Sequence, residues 1–185
     1  MNRKLPRMIS LITVCLFVLF LAACSDNDDA VSTGETGSRA PDDEMQTSLP
    51  ENDDKVTTAQ GVWGNVWFWE GDHMPSADED SPSGTITPVQ REVYIYETTT
   101  GSDVTETQDP CFYSEINTAL VATASSDADG FYQLSLLPGS YSVFVKENDL
   151  YYANVFNGNG EIGVITVAEN QVQKYQIDIT YQATF

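Results

Sequence analysis

The chain reads as an all-β protein, a sandwich of seven or eight short strands, and three observations predict it. From Gly61 onward no window sustains a helical period. Short runs of β-branched and aromatic residues recur instead, separated by Gly, Pro, Asn and Asp. The last run, Val172 to Tyr181, alternates strictly: Tyr175, Ile177, Ile179 and Tyr181 share one face and Gln176, Asp178, Thr180 and Gln182 the other. A period of two with one apolar parity is a strand with one buried face.

The first candidate strand, Val62 to Trp69, is apolar on both faces, with Val62, Val66 and Phe68 on one parity and Trp63, Trp67 and Trp69 on the other. The second, Glu92 to Thr98, sets Tyr94 and Tyr96 against Val93 and Ile95. With the valines, the phenylalanine and the isoleucine turned inward, Trp63, Trp67, Trp69, Tyr94 and Tyr96 form an outward face. That face is either a stacking platform for a sugar or partner protein, or is covered by a long loop or chain terminus. Leu120 to Ser125 is the third strand. Phe131 to Leu136 and Tyr141 to Lys146 follow, with Tyr132, Leu134, Leu136, Tyr141, Val143 and Val145 as inward positions. Between these two, Leu137-Pro138-Gly139-Ser140 supplies a fixed φ followed by a residue tolerant of positive φ, and predicts a hairpin. Tyr151 to Phe156 and Ile162 to Val167 complete the set before the final strand.

The stretch Asp127-Ala128-Asp129-Gly130-Phe131-Tyr132-Gln133-Leu134-Ser135-Leu136-Leu137-Pro138-Gly139-Ser140-Tyr141-Ser142-Val143-Phe144-Val145 resembles the signature of carboxypeptidase regulatory-like domains. Gly64-Asn65-Val66 and Pro88-Val89 before Val93-Tyr94-Ile95-Tyr96 extend the resemblance over most of residues 61 to 150. It implies a Greek-key sandwich, transthyretin-like or immunoglobulin-like, related to collagen-adhesin B-type repeats and used as a stalk, adhesion or accessory module. Two loops, Gly71 to Thr87 and Thr99 to Thr118, are longer than that pattern, which places any individual function there. Some adhesin relatives carry a lysine isopeptide bond. Residues 61 to 69 hold no lysine, and Lys146 and Lys174 fall at outward positions, so none is expected here.

Ahead of the domain, Arg3, Lys4 and Arg7 precede an apolar run from Met8 to Ala22, 15 residues long, that ends at Leu21-Ala22-Ala23-Cys24. A transmembrane span needs about 20 apolar residues. The layout is that of a cleaved signal, and Leu-Ala-Ala-Cys resembles a bacterial lipobox. The resemblance implies that Cys24 becomes a lipidated N-terminus, the alternative being a plain signal-peptidase site. Several acyl chains, at ~0.8 kcal/mol per buried methylene, hold a protein on a membrane durably. From Ser25 to about Gln60 the composition is Asp, Glu, Ser, Thr, Gly and Pro with few large apolar residues, which predicts a disordered tether reaching about 30–35 Å. Ser25-Asp26-Asn27-Asp28-Asp29 resembles an outer-membrane surface-export signal, and equally reads as a solvated charge run. The expected site is the cell envelope, as a surface-exposed outer-membrane lipoprotein.

The net charge is -20, from 28 acidic and 8 basic residues. Loss of Arg3, Lys4 and Arg7 with the signal leaves 5 bases against 28 acids, or -23. Such a surface disfavours nucleic acid as a partner and attracts cations. Of the three cysteines, Cys15 leaves with the signal and Cys24 is acylated, so Cys111 has no partner and reads as a small buried apolar residue. His73 is the sole histidine, with no cysteine or second histidine at ligand spacing, which argues against zinc. Asp127 and Asp129, with the Asp78-Glu79-Asp80 run, are calcium candidates. The default for Asp-x-Asp-Gly before a strand is a turn whose carboxylates accept local amides. No Gly-x-Ser-x-Gly elbow is present, and neither a cofactor nor an enzymatic activity is expected. Two functions follow: a non-catalytic, lipid-anchored module for adhesion or assembly with partner proteins, or a carbohydrate-binding surface lipoprotein using the Trp/Tyr face.

Overall fold

The computed structural model describes residues 48–74 and 84–185. The signal, Cys24, the tether up to residue 47, and the Asp78-Glu79-Asp80 run lie outside the described residues. The strands are β1 (Gly61–Asp72), β2 (Thr85–Pro88), β3 (Glu92–Glu97), β4 (Val104–Glu106), β5 (Phe112–Ile116), β6 (Leu120–Ser125), β7 (Phe131–Ser135), β8 (Gly139–Glu147), β9 (Leu150–Tyr152), β10 (Val164–Val167), β11 (Val172–Lys174) and β12 (Ile177–Thr184). They form two sheets, and the all-β sandwich expected from the sequence is what the chain adopts.

The long β1 is the spine of the first sheet. On one edge it pairs antiparallel with β7 (Val62 opposite Leu134) and then β2 (Trp67 opposite Pro88). On the other edge it runs parallel to β11 and then β12 (Val66 opposite Ile177). Every other strand pair is antiparallel. The second sheet has the order β4-β5-β9-β8-β3-β6, with β10 beside the first half of β8. Inward parities meet as the alternation requires: Val62, Val66, Tyr132, Ile177 and Ile179 from the first sheet pack on Val93, Ile95, Val143, Val145 and Tyr152 from the second. Each such side chain contributes roughly 1.5–3 kcal/mol by leaving water. The outer face of the second sheet carries a satellite cluster of Tyr96, Tyr113, Phe144, Ala153 and Ile162.

Four features differ from the sequence expectation. Twelve segments replace eight candidate strands because β2, β4 and β5 lie inside the two long loops and the final run breaks in two. The break falls where Tyr175 crosses Gly64: a Cβ there would sit 1.8 Å from the Tyr175 carbonyl oxygen. Only glycine admits that crossing, and the Tyr132 hydroxyl donates to the same carbonyl (2.7 Å). Second, β7 and β8 do not form the expected hairpin. The turn around Pro138 instead carries the chain from the first sheet to the second, where the two strands face each other across the core. A local reversal signal suits either outcome, and the non-local partners β1 and β3 decide it.

Third, β5 makes the Thr99–Thr118 stretch part of the sheet rather than a free loop, since Phe112 enters the core and Tyr113 the satellite cluster. Fourth, residues 48–60, expected as the end of the tether, lie as a strap on the body. The Asn52 side-chain amide donates to Asn65 Oδ1 (2.8 Å) and to the Asp129 carbonyl (3.0 Å). Gln133 Oε1 accepts from the Thr57 and Thr58 amides, and Gln60 donates to the Leu136 carbonyl. Composition concealed this, because polar side chains rather than apolar ones fasten the strap.

Candidate binding groove

Because β1 and β3 belong to different sheets, the expected aromatic face is not one surface. The tryptophans lie on the outside of the first sheet, and Tyr94 and Tyr96 on the outside of the second. Trp63 is 9 % exposed and Trp67 4 %. The Trp63 ring has Phe131 against it, at 6.2 Å between centroids, and the Lys174 ammonium 4.5 Å above it. Lys174 is in turn held by Asp53 of the strap (3.1 Å). On the second sheet, Tyr96 stands edge-on to Phe144 and Tyr151, and Tyr94 edge-on to Tyr151. Burial raises the phenol pKa of both Tyr94 and Tyr96. These rings are packing groups, and a row of three indoles open to a glycan is not assembled.

Asp127 and Asp129 form the default turn. Asp127 Oδ1 accepts from the amides of Asp129 (2.9 Å) and Phe131 (3.0 Å), with Gly130 at φ 76° completing the reversal. The outer oxygens hold the Lys55 ammonium, at 2.9 Å from Asp127 and 2.6 Å from Asp129. Desolvation alone would raise the Asp127 carboxyl, but Lys55 and the two amides outweigh it, and its pKa lies below the ordinary value. The Lys55 pKa is raised by its bonds to Asp127 and Asp129. A strap lysine thus occupies the place that a cation would take between these carboxylates. Among the described residues there is no group of three or more His, Cys, Asp or Glu arranged to hold a metal ion. Cys111, in a left-handed turn (φ 66°), is half-buried and desolvation raises its thiol pKa, so the thiolate is disfavoured.

The third tryptophan has a different setting. The Trp69 indole Nε1 donates to Asp178 Oδ1 on the neighbouring β12 (3.0 Å). His73 and Phe185 pack on it, with ring centroids at 5.0 and 5.9 Å. His73 Nε2 is buried against Gly84 with no hydrogen-bond partner among the described residues. Beside this trio a cavity of about 310 Å³ opens along the outer edge of β12, lined by Trp69, Asn154, Tyr175, Gln176, Asp178 and Phe185. Asn154, just after β9, donates to the Asp178 carbonyl (3.1 Å) and Thr180 Oγ1 (3.0 Å), so it ties the second sheet to the rim of the first. Gln176 Nε2 donates to Asp178 Oδ1 (2.7 Å). Burial pushes the Tyr175 phenol up to about 12, so it stays neutral.

Of the groove residues only Trp69 was expected from the sequence. Asp178 and Gln176 carried a signal, since they fall on the outward parity of the last strand. Their meeting with Trp69 depends on a parallel pairing between the first and last strands, which local pattern does not encode. The fold and the groove define the protein as a two-sheet β-sandwich with an open aromatic and acidic side. In comparisons with known proteins, no family model, curated protein or solved structure matches the chain.

Proposed function

We propose that this protein is a non-catalytic, lipid-anchored module of the cell envelope that presents its β-sandwich to partner proteins for adhesion or assembly. One observation carries the reading: the aromatic rings on the outsides of both sheets are largely covered by the chain's own residues, whereas the Trp69 groove has large apolar groups of its lining in solvent. Val155 is 52 % and Phe185 64 % exposed, and both line the Trp69 groove. An apolar rim around a concave site with convergent polar groups is the usual form of a binding site. The resemblance to carboxypeptidase regulatory-like domains supports a stalk or adhesion role, and the Leu-Ala-Ala-Cys24 ending of the signal supports the anchor. His73 and Cys111 do not favour catalysis: the histidine is packed against Trp69 and Phe185, and the thiol is held protonated by burial.

The test compares cells carrying the full chain with cells carrying Cys24→Ser. The body should be digested by protease added to intact wild-type cells, and attachment of those cells to surfaces or to one another should fall when Cys24→Ser releases the chain. Digestion only after lysis, together with attachment that ignores the substitution, would overturn the proposal.

A further inference from the structure

The geometry points to the Trp69–Asp178–Phe185 groove as a pocket for an arginine side chain of a partner protein. This inference rests on the reading of the chain as a protein-binding module and names the chemistry of the contact. Around the groove the indole and both side-chain amides already donate within the protein. Trp69 Nε1 and Gln176 Nε2 both serve Asp178 Oδ1, and Asn154 Nδ2 serves the Asp178 carbonyl and Thr180. Three acceptors there have no partner among the described residues: Asp178 Oδ2, Asn154 Oδ1 and Gln176 Oε1. A ligand that fits must bring donors. A guanidinium brings five in one plane, pairs with a carboxylate, and stacks on aromatic rings.

The rings are in place, with Trp69 and Phe185 on the wall and Phe185 largely in solvent. No Lys or Arg among the described residues competes for them. The four described bases are engaged elsewhere: Lys55 on Asp127 and Asp129, Arg91 on Glu147, Lys174 on Asp53, and Lys146 over the Tyr151 ring at 4.2 Å. A net charge of -20 steers basic partners toward this surface. A neutral sugar fits less well, because it brings no charge to pair with the Asp178 carboxylate. The volume of about 310 Å³ accommodates one side chain.

The experiment follows the three tryptophan indole N–H signals of the ¹⁵N-labelled full chain in detergent. The probes are N-acetyl-arginine methylamide, its uncharged citrulline counterpart, and maltose. The arginine compound should move the Trp69 signal and leave those of Trp63 and Trp67 in place. The citrulline compound and maltose should move none. Asp178→Asn should weaken the response at least about tenfold, because the amide keeps an acceptor for the indole and drops the charge. Unmoved Trp63 and Trp67 signals show that the variant is folded, and Gln176→Ala, which removes one acceptor, should weaken binding less. An unmoved Trp69 signal overturns the inference, as does an equal response to citrulline or a response to maltose in place of arginine. If Trp69 answers to arginine while anchored cells show no attachment, the module reading fails and the pocket stands. Attachment that persists in Asp178→Asn with Trp69 silent gives the reverse.

Discussion

Asn52→Ala tests whether the strap belongs to the folded body. Asn52 is 5 % exposed and sits in the left-handed region at φ 59°. Its amide satisfies Asn65 Oδ1 and the Asp129 carbonyl. Alanine removes both donors and strands the buried Asn65 oxygen, at about 1–3 kcal/mol. It also places a Cβ where only Gly, Asn and Asp rest easily, at a further ~1 kcal/mol. The sum is about 2–4 kcal/mol. Asn52→Gly loses the bonds and keeps the backbone at ease, so the two variants should differ by about 1 kcal/mol, with alanine the worse. Urea unfolding of both variants, followed by tryptophan fluorescence, gives the two numbers at constant m-value. A loss under about 0.5 kcal/mol for alanine, as expected for a surface substitution in a loose tether, would refute the reasoning.

Four further outcomes follow from the same structure. Gly64→Ala drives a methyl into the Tyr175 carbonyl and should cost about 2–4 kcal/mol or prevent folding, measured by thermal unfolding. Arg91→Ala leaves Glu147, 3 % exposed, with only the Tyr181 hydroxyl, and should cost about 2–4 kcal/mol; Glu147→Gln should cost less, because no charge is stranded. The Lys55 latch has a pH window. The lowered Asp127 pKa means its contribution is full above the unfolded value near 4 and disappears as pH falls through the folded one. The raised Lys55 pKa means its contribution is full below about 10.4 and disappears as pH rises beyond it. Unfolding of wild type and Lys55→Ala should therefore differ at pH 7 and converge below pH 4. Finally, acrylamide should quench Trp69 more than Trp63 or Trp67, so Trp69→Phe should remove most of the quenchable emission.

Strand parity was legible and topology was not. Period-two alternation identified Tyr132, Val143, Val145, Ile177 and Ile179 as core positions, because which face a side chain takes is a local property of the pleat. Pairing is set by partners far away in sequence. Pro138-Gly139 was therefore legible as a reversal while the choice between hairpin and sheet crossing was not. The tryptophan row shows the same limit: parity put Trp63, Trp67 and Trp69 outside one sheet, and it does not reveal that Trp63, under Lys174, and Trp67 are buried. The strap escaped a reading based on apolar content because Asn52, Lys55, Thr57, Thr58 and Gln60 dock through hydrogen bonds and ion pairs. The groove was half visible, since Asp178 and Gln176 lay on the outward parity, whereas Phe185 reaches Trp69 only through the parallel alignment of β1 with β12.

Attachment of intact cells is the most direct measure of the proposed role. Cells bearing the full chain should adhere more strongly than cells bearing Cys24→Ser at equal expression, and added protease should abolish the difference. Equal adhesion of the two, before and after digestion, would contradict the account.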